Sequence, residues 1–172
     1  MWAGGEFALA KEQIEDAIAA TSQPVKWGTG PHEHDLYALL TDIAAQQRDL
    51  AAIHKYAPLA EQFAARDRHQ LYLAMIHRAR AVAHRLAGEY ADAASRFNQA
   101  LEIFNALGTR WQIGRTLVEF GELEEVQRNH GEARDYFSRA LVEFEAMRAA
   151  PAAAATRLRL QKLSPAWAGK QI

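Results

Sequence analysis

Gly88-Glu89-Tyr90-Ala91-Asp92-Ala93-Ala94-Ser95-Arg96-Phe97-Asn98-Gln99-Ala100-Leu101-Glu102-Ile103-Phe104 decides the fold. Read as a helix, the stretch puts Ala93, Phe97, Ala100, Leu101, Phe104 and Leu107 at steps of 0, 4, 7, 8, 11 and 14, which is one apolar stripe. The stripe recurs. Ala133, Phe137, Ala140, Leu141, Phe144 and Met147 fall at the same steps. Ala52, Tyr56, Leu59, Ala60 and Phe63 match the first five, and Ala10, Ile14, Ala17 and Ile18 the first four. The four leading alanines stand 42, 41 and 40 residues apart, the mark of a helical repeat array. Phe97, Leu101 and Phe104 are therefore expected in the core.

Composition agrees with an all-α chain. Alanine, leucine and charged residues dominate its 172 residues, with five prolines and ten glycines. A formal charge of −1 gives no whole-chain electrostatic argument for nucleic acid or an anionic membrane. With no cysteine there is no disulfide, thiol catalysis or Cys-based zinc site. No segment approaches the ~18 uninterrupted apolar residues of a membrane span, and Met1 to Ala10 lacks the marks of a signal peptide. The expectation is a soluble, cytoplasmic protein.

In chain order, the pattern predicts helices at about 6–20, 32–48, 49–66, 68–87, 90–107, 110–128, 131–148 and 151–163. Thr21 to Pro31, with two prolines and two glycines, is a connection, and Trp27 within it reads as a plug over a repeat junction. Pro58 is expected to kink or break its helix. Asp67 with Gln70, and Thr109 with Gln112, have capping-box spacing. Gly88 and Gly108 suit left-handed helix ends, and Pro151 suits a first turn. Short connections make neighbouring helices antiparallel, giving an all-α α-solenoid of about eight helices. The expected layout is one domain over 1–172: a half repeat at 5–21, a linker at 22–31, repeats at about 32–67, 68–108 and 109–148, a terminal helix at 151–163 and a tail at 164–172 with Trp167. The half repeat suggests a piece of a longer array.

These residues resemble the tetratricopeptide repeat. In that family the first helix of each unit carries a large residue, then Leu-Gly and an aromatic. The second carries alanine, an aromatic four later and alanine three after that. Leu117-x2-Phe120-Gly121 with Ala133-x3-Phe137-x2-Ala140 fits well. His77-x2-Arg80-Ala81-x2-His84 with Ala93-x3-Phe97-x2-Ala100 also fits, and Leu36-x2-Leu39-Leu40 with Ala52-x3-Tyr56-x2-Leu59 is degenerate. The period exceeds the family's 34 by close to a turn per helix. Arg80 stands where the family has a buried leucine, so a pairing with Glu61 or Asp92 is expected, or a side chain reaching out to solvent. Long-period arrays of this kind are similar to the C-terminal arms of bacterial STAND-type ATPases and cyclase fusions, which implies a sensor or docking role.

Candidate chemistry is sparse. Gly28-Thr29-Gly30 is too short for a phosphate loop, and His32-Glu33-His34-Asp35 reads as a solvated helix start. His77 and His84 occupy packing positions. No catalytic residue, metal site or cofactor is expected, and the chain does not read as an enzyme. The resemblance implies a binding groove made by the first helices of successive pairs: His34, Tyr37, Thr41 and Ala44, then Met75, Arg78, Val82 and Arg85, then Arg115, Val118, Glu122 and Glu125, with Leu158 and Lys162 beyond. Tyr37, Met75, Arg78, Val82, Arg85, Arg115, Val118 and Glu122 are its principal candidates, the arginines offering forked donors to a partner's carboxylates. Replacing Arg78 and Arg85 by glutamate is expected to abolish capture without loss of stability. Val82 and Glu119 stand where a chaperone-tail clamp needs asparagines, so that ligand is not expected. The leading function is a protein–protein interaction module for a peptide, a helix or a neighbouring domain, within a larger bacterial signalling protein. The alternatives are a small-ligand or signalling-peptide sensor using Tyr37, Trp27 or Trp111, and an architectural segment that homodimerises through exposed terminal helices.

Overall fold

The computed structural model describes residues 4–21 and 33–163. Its elements are α1 (Gly4–Thr21), α2 (Glu33–Gln47), α3 (Leu50–Arg66), α4 (Gln70–Ala87), α5 (Tyr90–Ala106), α6 (Arg110–Val126), α7 (His130–Ala146) and α8 (Ala150–Lys162). The all-α reading holds, and the element boundaries differ from the expected ones by one or two residues. Trp27, most of the Thr21 to Pro31 connection, the side chains of His32 and His34, and Trp167 lie outside the described residues. None of the described helices is long and apolar enough to cross a membrane.

What stops the helices is more regular than the sequence pattern suggested. Residues 48, 68, 88, 108, 128 and 148, twenty apart, all have positive φ: Arg48 at 59°, Arg68 at 54°, Gly88 at 82°, Gly108 at 64°, Arg128 at 64° and Arg148 at 55°. At each stop the left-handed residue's N–H reaches the carbonyl three back, and the next N–H reaches the one five back. Gly88 N donates to Arg85 O at 3.2 Å and Glu89 N to His84 O at 2.9 Å, and Arg128 N and Asn129 N do the same to Glu125 O and Glu124 O. This double bond satisfies the carbonyls that a helix end leaves open. Helices of 17 or 18 residues between such stops produce the 40-residue pair period.

Two expectations are corrected here. Asp67 closes α3 as its C-cap, and the residue that opens α4 is His69. The Asp67–Gln70 capping box does not form, because Arg68 between them takes the left-handed turn. Thr109 does open α6, but its hydroxyl donates backwards to Phe104 O at 3.2 Å and makes no cap bond. Asp49 is a working N-cap, its carboxylate accepting from Ala52 N at 2.9 Å. α3 runs through Pro58 as one helix.

The helices group into two compact units, Met1–Glu89 and Tyr90–Ile172. In the first, α2 packs on α3 and α4, α3 on α4, and α1 on α2. Its interior is built from Leu40, Ile53, Tyr56, Ile76 and Val82 among many alanines, whose small side chains let the backbones approach closely. The Tyr56 hydroxyl donates to the Glu15 carboxylate, tying α1 to α3, and Lys55 stands 3.7 Å from the same carboxylate.

In the second unit, α6 packs on α5 and α7, and α7 on α8. Phe97 and Phe104 are fully buried and Leu101 nearly so, as the stripe required. Gly114 and Gly121, seven apart on one face of α6, seat two rings of α7. A Cβ at Gly121 would lie 2.5 Å from Phe137 Cε1, and one at Gly114 would lie 2.7 Å from Phe144 Cε1. Phe120 stacks on Tyr136 with centroids 4.2 Å apart and planes 10° from parallel, and tilts against Phe97 at 5.3 Å. Full burial of each phenylalanine is worth about 1.5–3 kcal/mol, so the glycines matter because they admit these rings.

Candidate functional site

The first helices of the pairs, α2, α4, α6 and α8, carry the residues that the spacing singled out. Their buried threonines are self-satisfied: Thr41, Thr116 and Thr156 donate to the carbonyls of Tyr37, Gln112 and Ala152, four residues back, at 2.7–2.8 Å. No threonine hydroxyl in this set needs a ligand.

In the first unit, Arg78 is 2% exposed and is among the largest fully buried side chains. Its Nη2 donates to Asp42 Oδ1 at 2.8 Å, and Gln46 Nε2 donates to the other Asp42 oxygen at 3.0 Å. The guanidinium of α4 and the carboxylate of α2 thus join two successive first helices inside the protein. Arg78 does not present its fork to solvent, and Met75 and Val82 are buried beside it in the interior. An Arg78→Glu change would set two carboxylates together, so the expectation that it leaves stability intact is revised. Tyr37 is half-buried with its ring stacked on Phe63, centroids 5.5 Å apart. Arg85 is half-buried. Tyr72 adds a second link from α4 to α2. Its phenol is pushed up to about 12, chiefly by burial and then by its hydrogen bond to Asp35.

In the second unit, Glu122 is 9% exposed and pairs with Arg159 of α8, whose other terminal nitrogen stands 3.6 Å from Glu125. The Arg159 guanidinium also lies 5.6 Å from the centre of the Phe137 ring. Arg115 and Val118 are half-buried on α6. The eight candidate residues therefore divide five to three between the units. Each unit repeats one device, an acid on one first helix paired with an arginine on the next. The spacing was the available signal: Asp42 to Arg78 and Glu122 to Arg159 are 36 and 37 residues apart, just under one repeat.

Arg80, in the family's leucine position, pairs with Glu61 of α3 at 2.5 Å while its Nε stays buried without a hydrogen-bond partner. His84 is half-buried, with Nδ1 2.6 Å from Glu89 Oε2.

Residues 72–142 match the family model described as tetratricopeptide repeat. Among solved structures the chain is similar to the crystal structure of aspartyl phosphate phosphatase F from Bacillus subtilis, with a TM-score of 0.69 at 21% identity, over 76% of this chain and 34% of that one. The chain thus spans about a third of that protein, and at this identity the likeness shows the fold alone. A comparison with curated proteins finds no match.

Proposed function

Residues 72–142 being tetratricopeptide repeats, we propose that the chain is a protein–protein interaction module that receives a peptide or helix of a partner on its first helices. The observation that carries this reading is the division of labour among those helices. One set of polar residues is consumed internally, in Arg78–Asp42 and Glu122–Arg159. A second set, Tyr37, Arg85, Arg115 and Val118, stands half-exposed beside it. Each internal pair joins two first helices of one unit; beside it the first unit offers the Tyr37 ring and the Arg85 side chain, and the second unit the Arg115 and Val118 side chains. Such a mixture suits the polar, partly apolar surface of a non-obligate interface.

The test is a photo-crosslinking amino acid at position 118, with position 142 as control. Val142 is 63% exposed on a second helix and so is accessible without belonging to the proposed surface. A discrete set of protein adducts formed in native lysate from position 118 but not from 142 is expected. Equal labelling from both positions, or none from 118, would remove the assignment.

A further inference from the structure

Two helices hold only half of the neighbours that their kind has elsewhere. α3 and α7 are second helices, each packed against two first helices: α3 against α2 and α4, and α7 against α6 and α8. Their stripe residues are accordingly buried, Ala52, Tyr56 and Ala60 in α3 and Ala133, Phe137 and Ala140 in α7. α1 carries the same stripe but within its unit packs on one first helix, α2. Ala10, Ile14 and Ala17 are half-exposed where their counterparts are buried, and Leu9 beside them is 56% exposed.

α8 is the opposite case. One repeat earlier, α6 seats the rings of α7 on Gly114 and Gly121, with Leu117 between them, and all three are buried. The corresponding residues of α8, Ala154, Arg157 and Gln161, are exposed. α8 thus keeps open the kind of face that receives a second helix, and α1 the kind that receives a first. In a helical array such faces are covered by stacking.

Charge narrows what can cover them. α1 carries Glu6, Glu12, Glu15 and Asp16 against Lys11 alone, whereas α8 carries Arg157, Arg159 and Lys162 and no acid. Laying α1 on α1, or α8 on α8, sets like charges together, and α1 on α8 sets opposite charges together. Part of this charge is used within the chain: Glu15 holds Tyr56, Arg157 meets Glu145 and Arg159 meets Glu122. Glu6, Glu12 and Asp16 of α1 and Lys162 of α8 stand at the surface.

We infer that α8 of one copy of this chain receives α1 of a second copy, the two completing a helix pair between molecules. The contact is heterologous, so each copy in a pair keeps one open face and association continues beyond two. One helix laid on another buries less than the roughly 1,200 Å² of a standard stable interface, so the contact is weak. It uses faces other than the half-exposed first-helix residues and does not rest on their reading as a partner surface.

The test is sedimentation velocity of the full chain from about 10 μM to 1 mM, the range in which a weak contact is populated. The weight-average sedimentation coefficient is expected to rise with concentration, and to rise less in about 0.5 M salt, where the attraction is screened. Leu9→Lys sets a cation on α1 against basic α8. Ala154→Glu sets an acid and added bulk on α8 where α6 has a glycine. Both positions are exposed, and circular dichroism confirms that both variants fold. Each variant alone should associate about tenfold more weakly or not at all. Their equimolar mixture should regain association, because the intact α8 of one meets the intact α1 of the other. A parent chain that stays monomeric, or a mixture that does, would overturn the contact. Undiminished association of Leu9→Lys alone would overturn it in favour of α8 on α8, and of Ala154→Glu alone in favour of α1 on α1. Crosslinking from position 118 tests the first-helix surface independently of all these outcomes.

Discussion

At the scale of single residues, the buried pair of Arg78 and Asp42 illustrates what a helical pattern can and cannot reveal. Phe97 and Phe104 were legible because an apolar residue at 3.6-residue spacing has one comfortable environment. Arg78 was not, since an arginine on a helix face looks the same in sequence whether it is solvated or buried. Its burial depends on an acid 36 residues earlier and on Gln46 occupying that acid's second oxygen. Removing one member of such a pair leaves an uncompensated charge, whereas replacing both with apolar residues does not. Asp42→Leu alone or Arg78→Met alone should each cost about 3–5 kcal/mol in urea unfolding. The Asp42→Leu/Arg78→Met double variant should recover most of that loss. Additive losses in the double variant would show that the two residues do not act as a pair.

At the scale of elements, the helix ends were legible to within two residues, but their chemistry was only partly so. Gly88 and Gly108 announced themselves, because glycine takes positive φ without a Cβ clash. Arginine at 48, 68, 128 and 148 did not, because L-residues pay about 1–2 kcal/mol in that region. The readable signal was the twenty-residue spacing at which the four arginines and the two glycines recur as stops. Arg128→Gly should therefore stabilise the chain by up to about 1 kcal/mol in chemical denaturation. A loss of stability would mean that the side chain of Arg128 contributes more than its backbone conformation costs. Gly121 answers to the opposite rule. Alanine is the better helix former by about 0.8–1 kcal/mol, yet its Cβ would meet the Phe137 ring at 2.5 Å. Overpacking of about 1–3 kcal/mol outweighs the propensity gain. Gly121→Ala should be destabilising, and Phe137→Leu in the same chain should relieve part of the loss. Gly131, with nothing within 4 Å of an added Cβ, serves as the control, where alanine should be neutral or favourable.

At the scale of the whole molecule, the repeat was legible because its defining feature is a period, which survives degenerate copies such as the one at Leu36 to Leu59. The candidate surface was less so. Family spacing assigned its residues to the first helices without saying which of them would be drawn inside by a neighbour one repeat away. Arrays of this type draw stability from each element's contacts with its neighbours, so damage should be local. The last helix makes the case testable. α8 packs on α7, buries Ala153 and Thr156, and brings Arg159 to the carboxylate of Glu122. Ending the chain at residue 148 removes that cover and takes Arg159 away from Glu122. Amide hydrogen exchange should then quicken along α7, most at Phe137, Ala140 and Phe144 on its buried face, and next around Glu122 in α6. Restoring α8 with Arg159→Met should recover protection along α7 while leaving the neighbourhood of Glu122 exchanging faster than in the parent. Exchange in α7 that is unaffected by the truncation would show that this helix does not depend on the one that follows it.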